Sequence, residues 1–195
     1  VEGRRSDFKD VYIMYYTQEQ IDALQAEAEK NQMSIYLNED MFKSIRLEGN
    51  FTLNSGKKSK YFYDFERMTP NYTTFVSGLL NERLKDKCEF EFVVGPAYGG
   101  IIPGYCVADF AGREFVAYNP KTGSFRGNVH NISGRYIIVD DVISSYKTVD
   151  KTILSMSEKY PSTRCVGAAC FVFRGEKVRE HSFPTFYLHR GEIER

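Results

Sequence analysis

The sequence carries no surplus of charge: 26 Lys and Arg stand against 26 Asp and Glu in 195 residues. A balanced chain projects no long-range field, which excludes recruitment of nucleic acid or an anionic membrane by bulk electrostatics, so any anion site must be built locally. Histidine is scarce, with His130, His181 and His189 far apart, and a zinc site is not expected. Cysteine is scarce too. Cys88, Cys106, Cys165 and Cys170 show neither C-x-x-C nor metal-ligand spacing, which suits buried free thiols in a reducing compartment. No apolar run is long enough for a membrane helix and no secretory pattern is present, so a soluble cytoplasmic protein with no membrane or nucleic-acid partner is expected. Repeats and low-complexity segments are absent, and the length suits one domain with a substantial core.

What is present is an alternation of short apolar runs with amphipathic stretches. Thr17-Gln18-Glu19-Gln20 fits a capping box, opening a helix through Asn31, and a second short helix is predicted around Asp40–Arg46. Beyond Asp64, helices are predicted at Tyr72–Lys87, Ile101–Ala111 and Val149–Lys159. Strands are predicted at Phe92–Val94, Glu114–Tyr118, Tyr136–Val139 and Cys165–Phe173. Such alternation implies an α/β fold whose mostly parallel sheet is flanked by helices, with ligands at the carboxyl ends of the strands.

Arg135-Tyr136-Ile137-Ile138-Val139-Asp140-Asp141-Val142-Ile143-Ser144-Ser145-Tyr146-Lys147-Thr148 is the most informative stretch. It reads as a buried strand ending in two acids, then a hydroxyl-rich turn entering a helix. The carboxylates suit ribose hydroxyls or a magnesium ion, and the helix N-terminus suits a phosphate. By themselves the same residues also suit a strand-end turn with two solvated acids. Upstream, Phe51-Thr52-Leu53-Asn54-Ser55-Gly56-Lys57-Lys58-Ser59-Lys60-Tyr61-Phe62-Tyr63-Asp64 places cations beside aromatic strand residues, as a flat anionic base requires, or forms a hairpin with a solvated basic turn. Between them, Phe92-Val93-Val94-Gly95-Pro96-Ala97-Tyr98-Gly99-Gly100-Ile101-Ile102-Pro103 is a strand, a Gly/Pro loop and a helix start, where glycines let N–H groups approach an anion.

Taken in order, these three segments, with Glu114–Lys121 between the second and the acids, resemble the orotate phosphoribosyltransferases of the type I phosphoribosyltransferase family. The resemblance runs from about Leu37 into the C-terminal segment. It implies a type I phosphoribosyltransferase fold with an N-terminal helical and β hood over the base, and divides the chain into an extension, 1–36, and a phosphoribosyltransferase-like domain, 37–195. It implies transfer of a 5-phosphoribosyl group from 5-phosphoribosyl 1-pyrophosphate (PRPP) to orotate, giving orotidine 5'-phosphate and pyrophosphate with Mg²⁺, in a homodimer. Asp140 and Asp141 would grip the ribose and, through it or water, the metal. Ser144, Ser145, Tyr146, Lys147 and Thr148 would surround the 5-phosphate, and Tyr98, Gly99 and Gly100 the pyrophosphate. Asn54, Lys57, Phe62, Tyr63 and Arg174 would frame the base, and Lys121 would act catalytically on the leaving group.

Three departures from the family pattern stand out. Tyr146 and Lys147 occupy positions where the family uses glycine, so the tyrosine is expected to tighten, reshape or block the phosphate turn; glycine at both positions should strengthen PRPP binding if the turn is merely degraded, and leave it unimproved if the turn is adapted to another ligand. Pro120-Lys121 replaces an Arg-Lys pair, and the segment Thr122–Ser133 after it is short, with Arg126 and His130 as its remaining candidate cations. Phe173 stands before Arg174 where the family has an acid. These changes leave two alternatives: a catalytically weak relative that binds nucleotide as a regulatory or assembly component, or a transferase for another base.

Overall fold

The computed structural model describes residues 39–53, 56, 58–129, 132–175, 178 and 183–191. The helix expected over Thr17–Asn31 lies outside them. The chain divides into two compact units, Val1–Met41 and Phe42–Arg195.

Helix α1 (Glu39–Ile45) leads into an antiparallel hairpin of β1 (Arg46–Thr52) and β2 (Lys58–Tyr63). Phe42 and Ile45, three residues apart on α1, are buried, and Phe42 stacks on His189 with ring centroids 4.8 Å apart. A 3₁₀ turn, Phe65–Arg67, precedes α2 (Pro70–Leu84). This helix starts before the predicted Tyr72 because Thr69 caps it, its hydroxyl accepting from the Tyr72 N–H at 3.4 Å, and Pro70 pre-sets the first turn. Val76, Leu80 and Leu84 form its buried stripe.

The main sheet comprises β3 (Phe92–Pro96), β4 (Glu114–Asn119), β5 (Ser124–Gly127), β6 (Gly134–Ile143), β7 (Thr163–Phe173) and β8 (Thr185–Arg190), in spatial order β5-β4-β3-β6-β7-β8. All neighbours are parallel except β4 and β5. Helix α3 (Ile101–Ala111) links β3 to β4, and α4 (Lys147–Lys159) links β6 to β7. The sheet's centre is buried on both faces: Val93, Val94, Ile137, Ile138, Val139, Ala168 and Ala169 are all inaccessible, which is why these parallel strands read as continuous apolar runs.

The structure departs from the sequence expectations in two places. β6 does not stop at Val139. It runs through both acids to Ile143, because Val142 and Ile143 pair with Val172 and Phe173 of β7. Asp140 and Asp141 are therefore strand residues, and Asp140 is buried at 7% exposure rather than solvated at a strand end. The segment after Lys121 begins with a structured turn and a strand. Gly123 donates to the Asn119 carbonyl at 2.8 Å, and β5 returns antiparallel along β4.

Candidate active site

From β3 the chain passes through α3 to β4 on one side of the sheet, then crosses to β6 and continues through β7 to β8 on the other. The strand order thus reverses between β3 and β6, and an open α/β sheet leaves a crevice outside the carboxyl ends of its strands at such a point. The Gly-rich loop leaves β3 there, and the two acids stand on β6 there.

These two features touch. A Cβ on Gly99 would fall onto the Asp141 carboxylate, and one on Gly100 would come within 2.5 Å of the Val139 carbonyl. Glycine is obligatory at both positions because the loop lies directly on β6. The Ala97–Tyr98 peptide is cis, and the Tyr98 side chain is 77% exposed beside the crevice.

The acids are held by their own strand. Asp140 accepts from the Asp141 N–H at 3.0 Å, and Asp141 from the Val142 N–H at 2.7 Å. Burial, and after it the neighbouring Asp141 carboxylate, raises the Asp140 pKa well above the ordinary carboxyl range. Burial also raises that of Asp141, opposed by its hydrogen bonds to Asp140 and to the Val142 N–H. Beside them on β7 the Cys170 thiol, opposite Asp140 in register, is pushed up by burial and then by both acids. Two adjacent carboxyls short of solvent are relieved by hydroxyl donors or by a cation. Among the described residues no group of three or more His, Cys, Asp or Glu is placed to hold a metal ion, so the two acids would be the chain's contribution to a Mg²⁺ site.

After Ile143 the chain turns at Ser144 and Ser145, both half-buried, and enters α4 at Lys147, whose side chain is exposed. Thr148 lies in the first helical turn, its carbonyl accepting from Thr152 Oγ1 at 2.7 Å. Tyr146 caps the helix in the left-handed region, φ 58° and ψ 2°, which costs a non-glycine residue ~1–2 kcal/mol. Its ring does not block the turn, so of the three effects expected from sequence only tightening or reshaping remains. It points into the core, 5% exposed, packs 5.8 Å from the Phe173 ring, and its hydroxyl lies 2.8 Å from Thr185 Oγ1.

On the hood side, Asn54 and Lys57 lie outside the described residues. Phe62 is exposed and its ring centroid is 5.6 Å from that of Phe51, whereas Tyr63 is buried. Arg174, at the end of β7 and 8% exposed, reaches across to the hairpin. Its Nη2 donates to Ser59 Oγ at 3.0 Å and its Nη1 to the Tyr61 carbonyl at 3.3 Å, while its guanidinium lies 5.6 Å from the Tyr63 ring centre. Sequence reasoning quoted Ser59 without giving it a role and missed Thr185 altogether. Both act as partners of residues far away in the chain, which no local pattern encodes. Lys121 is exposed in the turn between β4 and β5, its N–H donating to Asn119 Oδ1 at 2.9 Å, and the neighbouring Pro120 carbonyl accepts from Lys151 Nζ of α4. Arg126 is exposed on β5, and His130 lies outside the described residues.

No protein-family model matches the chain. Its sequence is similar to orotate phosphoribosyltransferase of Brucella ovis, 32% identical over 134 residues, covering 66% of this chain and 69% of that one. It is also similar to orotate phosphoribosyltransferase 2 of Mesorhizobium japonicum, 29% identical over 153 residues, with 75% and 79% covered. Among solved structures, the fold resembles orotate phosphoribosyltransferase from Aeropyrum pernix, with TM-score 0.65 and 22% identity over 76% of this chain and 89% of that one. It also resembles the Mycobacterium tuberculosis orotate phosphoribosyltransferase solved with PRPP, with TM-score 0.59 and 17% identity over 77% and 92%. The structural likenesses establish a phosphoribosyltransferase fold, and the sequence likeness to the Brucella enzyme goes further: the chain belongs to the orotate phosphoribosyltransferase family.

Proposed function

We propose that this protein transfers the 5-phosphoribosyl group of PRPP to orotate, releasing pyrophosphate and forming orotidine 5'-phosphate. The observation that supports this reading is the seating of Gly99 on Asp141 at the β3–β6 switch point, which brings the glycine-rich loop of β3 against the two acids of β6. In this reading Asp140 and Asp141 accept from the ribose hydroxyls. Ser144, Ser145, Lys147 and Thr148 face the 5-phosphate, and Tyr98, Gly99 and Gly100 the pyrophosphate. Arg174, Phe62 and Tyr63, with Asn54 and Lys57, frame the base, and Lys121 meets the leaving group. Bond exchange at the anomeric carbon asks little covalent help. The chain's contribution is to hold both ligands in line and to stabilise developing charge, by ~7–11 kcal/mol for ideal positioning alone. Asp140 and Asp141 would hold Mg²⁺, which would supply positive charge for the pyrophosphate.

The transferase domain takes in residues 37–195, with 1–36 an extension, and the four free thiols suit a cytoplasmic setting. The active form is a homodimer, a reading supported by the exposed apolar row of Tyr98, Ile102 and Tyr105 on the loop and outer face of α3. Spectrophotometric conversion of orotate with PRPP, with and without chelator, tests the reading. Consumption of orotate that depends on PRPP and a divalent cation is expected. Stable orotate with all three present, or turnover of adenine or uracil instead, would overturn it. The inward turn of the Tyr146 ring, away from Ser144 and Ser145, supports the catalytic reading over the non-catalytic alternative.

A further inference from the structure

We propose that Tyr146 is a positioning residue for the 5-phosphate. It acts through its buried ring, which pins the phosphate turn to β8 and holds the turn open without glycine. This rests on the phosphoribosyltransferase reading above.

Three observations carry the inference. The backbone of Tyr146 is left-handed at φ 58°, a conformation a tyrosine keeps only where its surroundings over-determine it. The ring supplies that determination. It is buried in the cluster that also holds Ile143, Val149, Met156 and Phe173, so the residues on either side of the turn and the turn itself share one packing unit. Lastly, Tyr146 Oη and Thr185 Oγ1 lie 2.8 Å apart, joining residues 39 apart in sequence and fixing the ring's direction against β8. The Tyr146 carbonyl also accepts the first-turn bond from Asp150 N–H at 2.8 Å, so a shift of the ring would move the helix entrance. A glycine turn reaches the left-handed region by freedom. Here the same region is reached by constraint, and the amides of the first helical turn are aimed before phosphate arrives.

Glycine at position 146, where the family uses it, should accordingly impair the turn. Tyr146→Phe and Thr185→Val each remove one side of the hydroxyl contact, and Tyr146→Gly removes the ring. Steady-state kinetics on the full chain, varying PRPP and orotate separately, with calorimetric titration of PRPP and ribose 5-phosphate, reads the effect. Tyr146→Gly should raise the KM and Kd for PRPP about tenfold or more, equivalent to about 1.4 kcal/mol. Tyr146→Phe and Thr185→Val should each raise it severalfold and to similar extents, and the orotate KM should stay within twofold in all three. A merely structural role would lower the active fraction, and so the apparent kcat, without separating the two KM values. Equal changes in both KM values, tighter PRPP binding by Tyr146→Gly, or unchanged PRPP affinity in both milder variants would overturn the proposal. If Tyr146→Gly fails to fold, the Phe and Val variants decide alone. Wild-type protein that binds neither PRPP nor ribose 5-phosphate would overturn the functional reading itself, a result separate from any difference among variants.

Discussion

At the scale of single residues, the acidic pair couples function to stability. Asp140 ionises near pH 4 in the unfolded chain, whereas in the fold burial and Asp141 hold its proton to higher pH. Above about pH 4 the folded state therefore binds more protons than the unfolded one, and stability falls as pH rises toward the raised folded pKa. Asp140→Asn cannot ionise. It should melt higher than wild type at pH 7 and approach it at pH 4, while losing PRPP affinity, and melting curves across that range check both the sign and the window. An unchanged difference at the two pH values would remove burial of the charge as the cause. Gly99→Ala probes the same pair from the other side. A methyl group there meets the Asp141 carboxylate, so the variant should lose ~1–3 kcal/mol of stability, as overpacking does, and most of its activity. Denaturant unfolding with a parallel assay would test it, and near wild-type turnover would show that the loop can lift away from β6.

Elements differ in how much of them the sequence discloses. Phe92–Val94, Tyr136–Val139 and Cys165–Phe173 are legible because a strand covered on both faces must be apolar throughout. β5 and β8 are not. Ser-Phe-Arg-Gly has no period to detect, and β8, half-buried along most of its length, looks like any aromatic segment until β7 is there to pair with it. That the glycine loop and the two acids meet was legible through their order along the chain, but the orientations of the side chains around them were not. Nothing in Ser-Ser-Tyr-Lys says that the tyrosine turns inward and the lysine outward. The β1–β2 hairpin illustrates the same limit. It is recognisable as a hairpin, yet what ties it to the sheet comes from far along the chain: Arg174, 115 residues after Ser59, and His189 against Tyr63. Arg174→Met should loosen it. The expected result is a rise in orotate KM of about tenfold or more with PRPP KM little changed, consistent with the loss of one charged hydrogen bond worth ~1.5–3 kcal/mol. Equal loss for both substrates would mean that the guanidinium supports the sheet rather than the base side.

For the molecule as a whole, the exposed apolar row on α3 makes assembly the first property to measure. Sedimentation at micromolar concentration should give a dimer, and Ile102→Glu with Tyr105→Glu should give a monomer; a wild-type monomer would end the proposal of a shared interface. The tie from Arg174 to Ser59 has another consequence, one of timing. Contacts that join distant parts of a chain close late, because the intervening loop must first lose its freedom. The glycine loop and the acids sit on adjacent strands and assemble with the sheet, whereas the two long-range ties wait for the C-terminal strands: Arg174 reaches Ser59 only from the end of β7, and Tyr146 meets Thr185 only once β8 is in place. During refolding, capacity for PRPP and capacity for orotate should therefore return together, and stopped-flow refolding into each ligand would check it. Recovery of one well before the other would refute it. On a ribosome the same order means that a chain with β7 and β8 still unsynthesised has its loop and its acids but has fastened neither the phosphate turn nor the base-side hairpin. Such a chain competes for neither substrate until its last strands arrive.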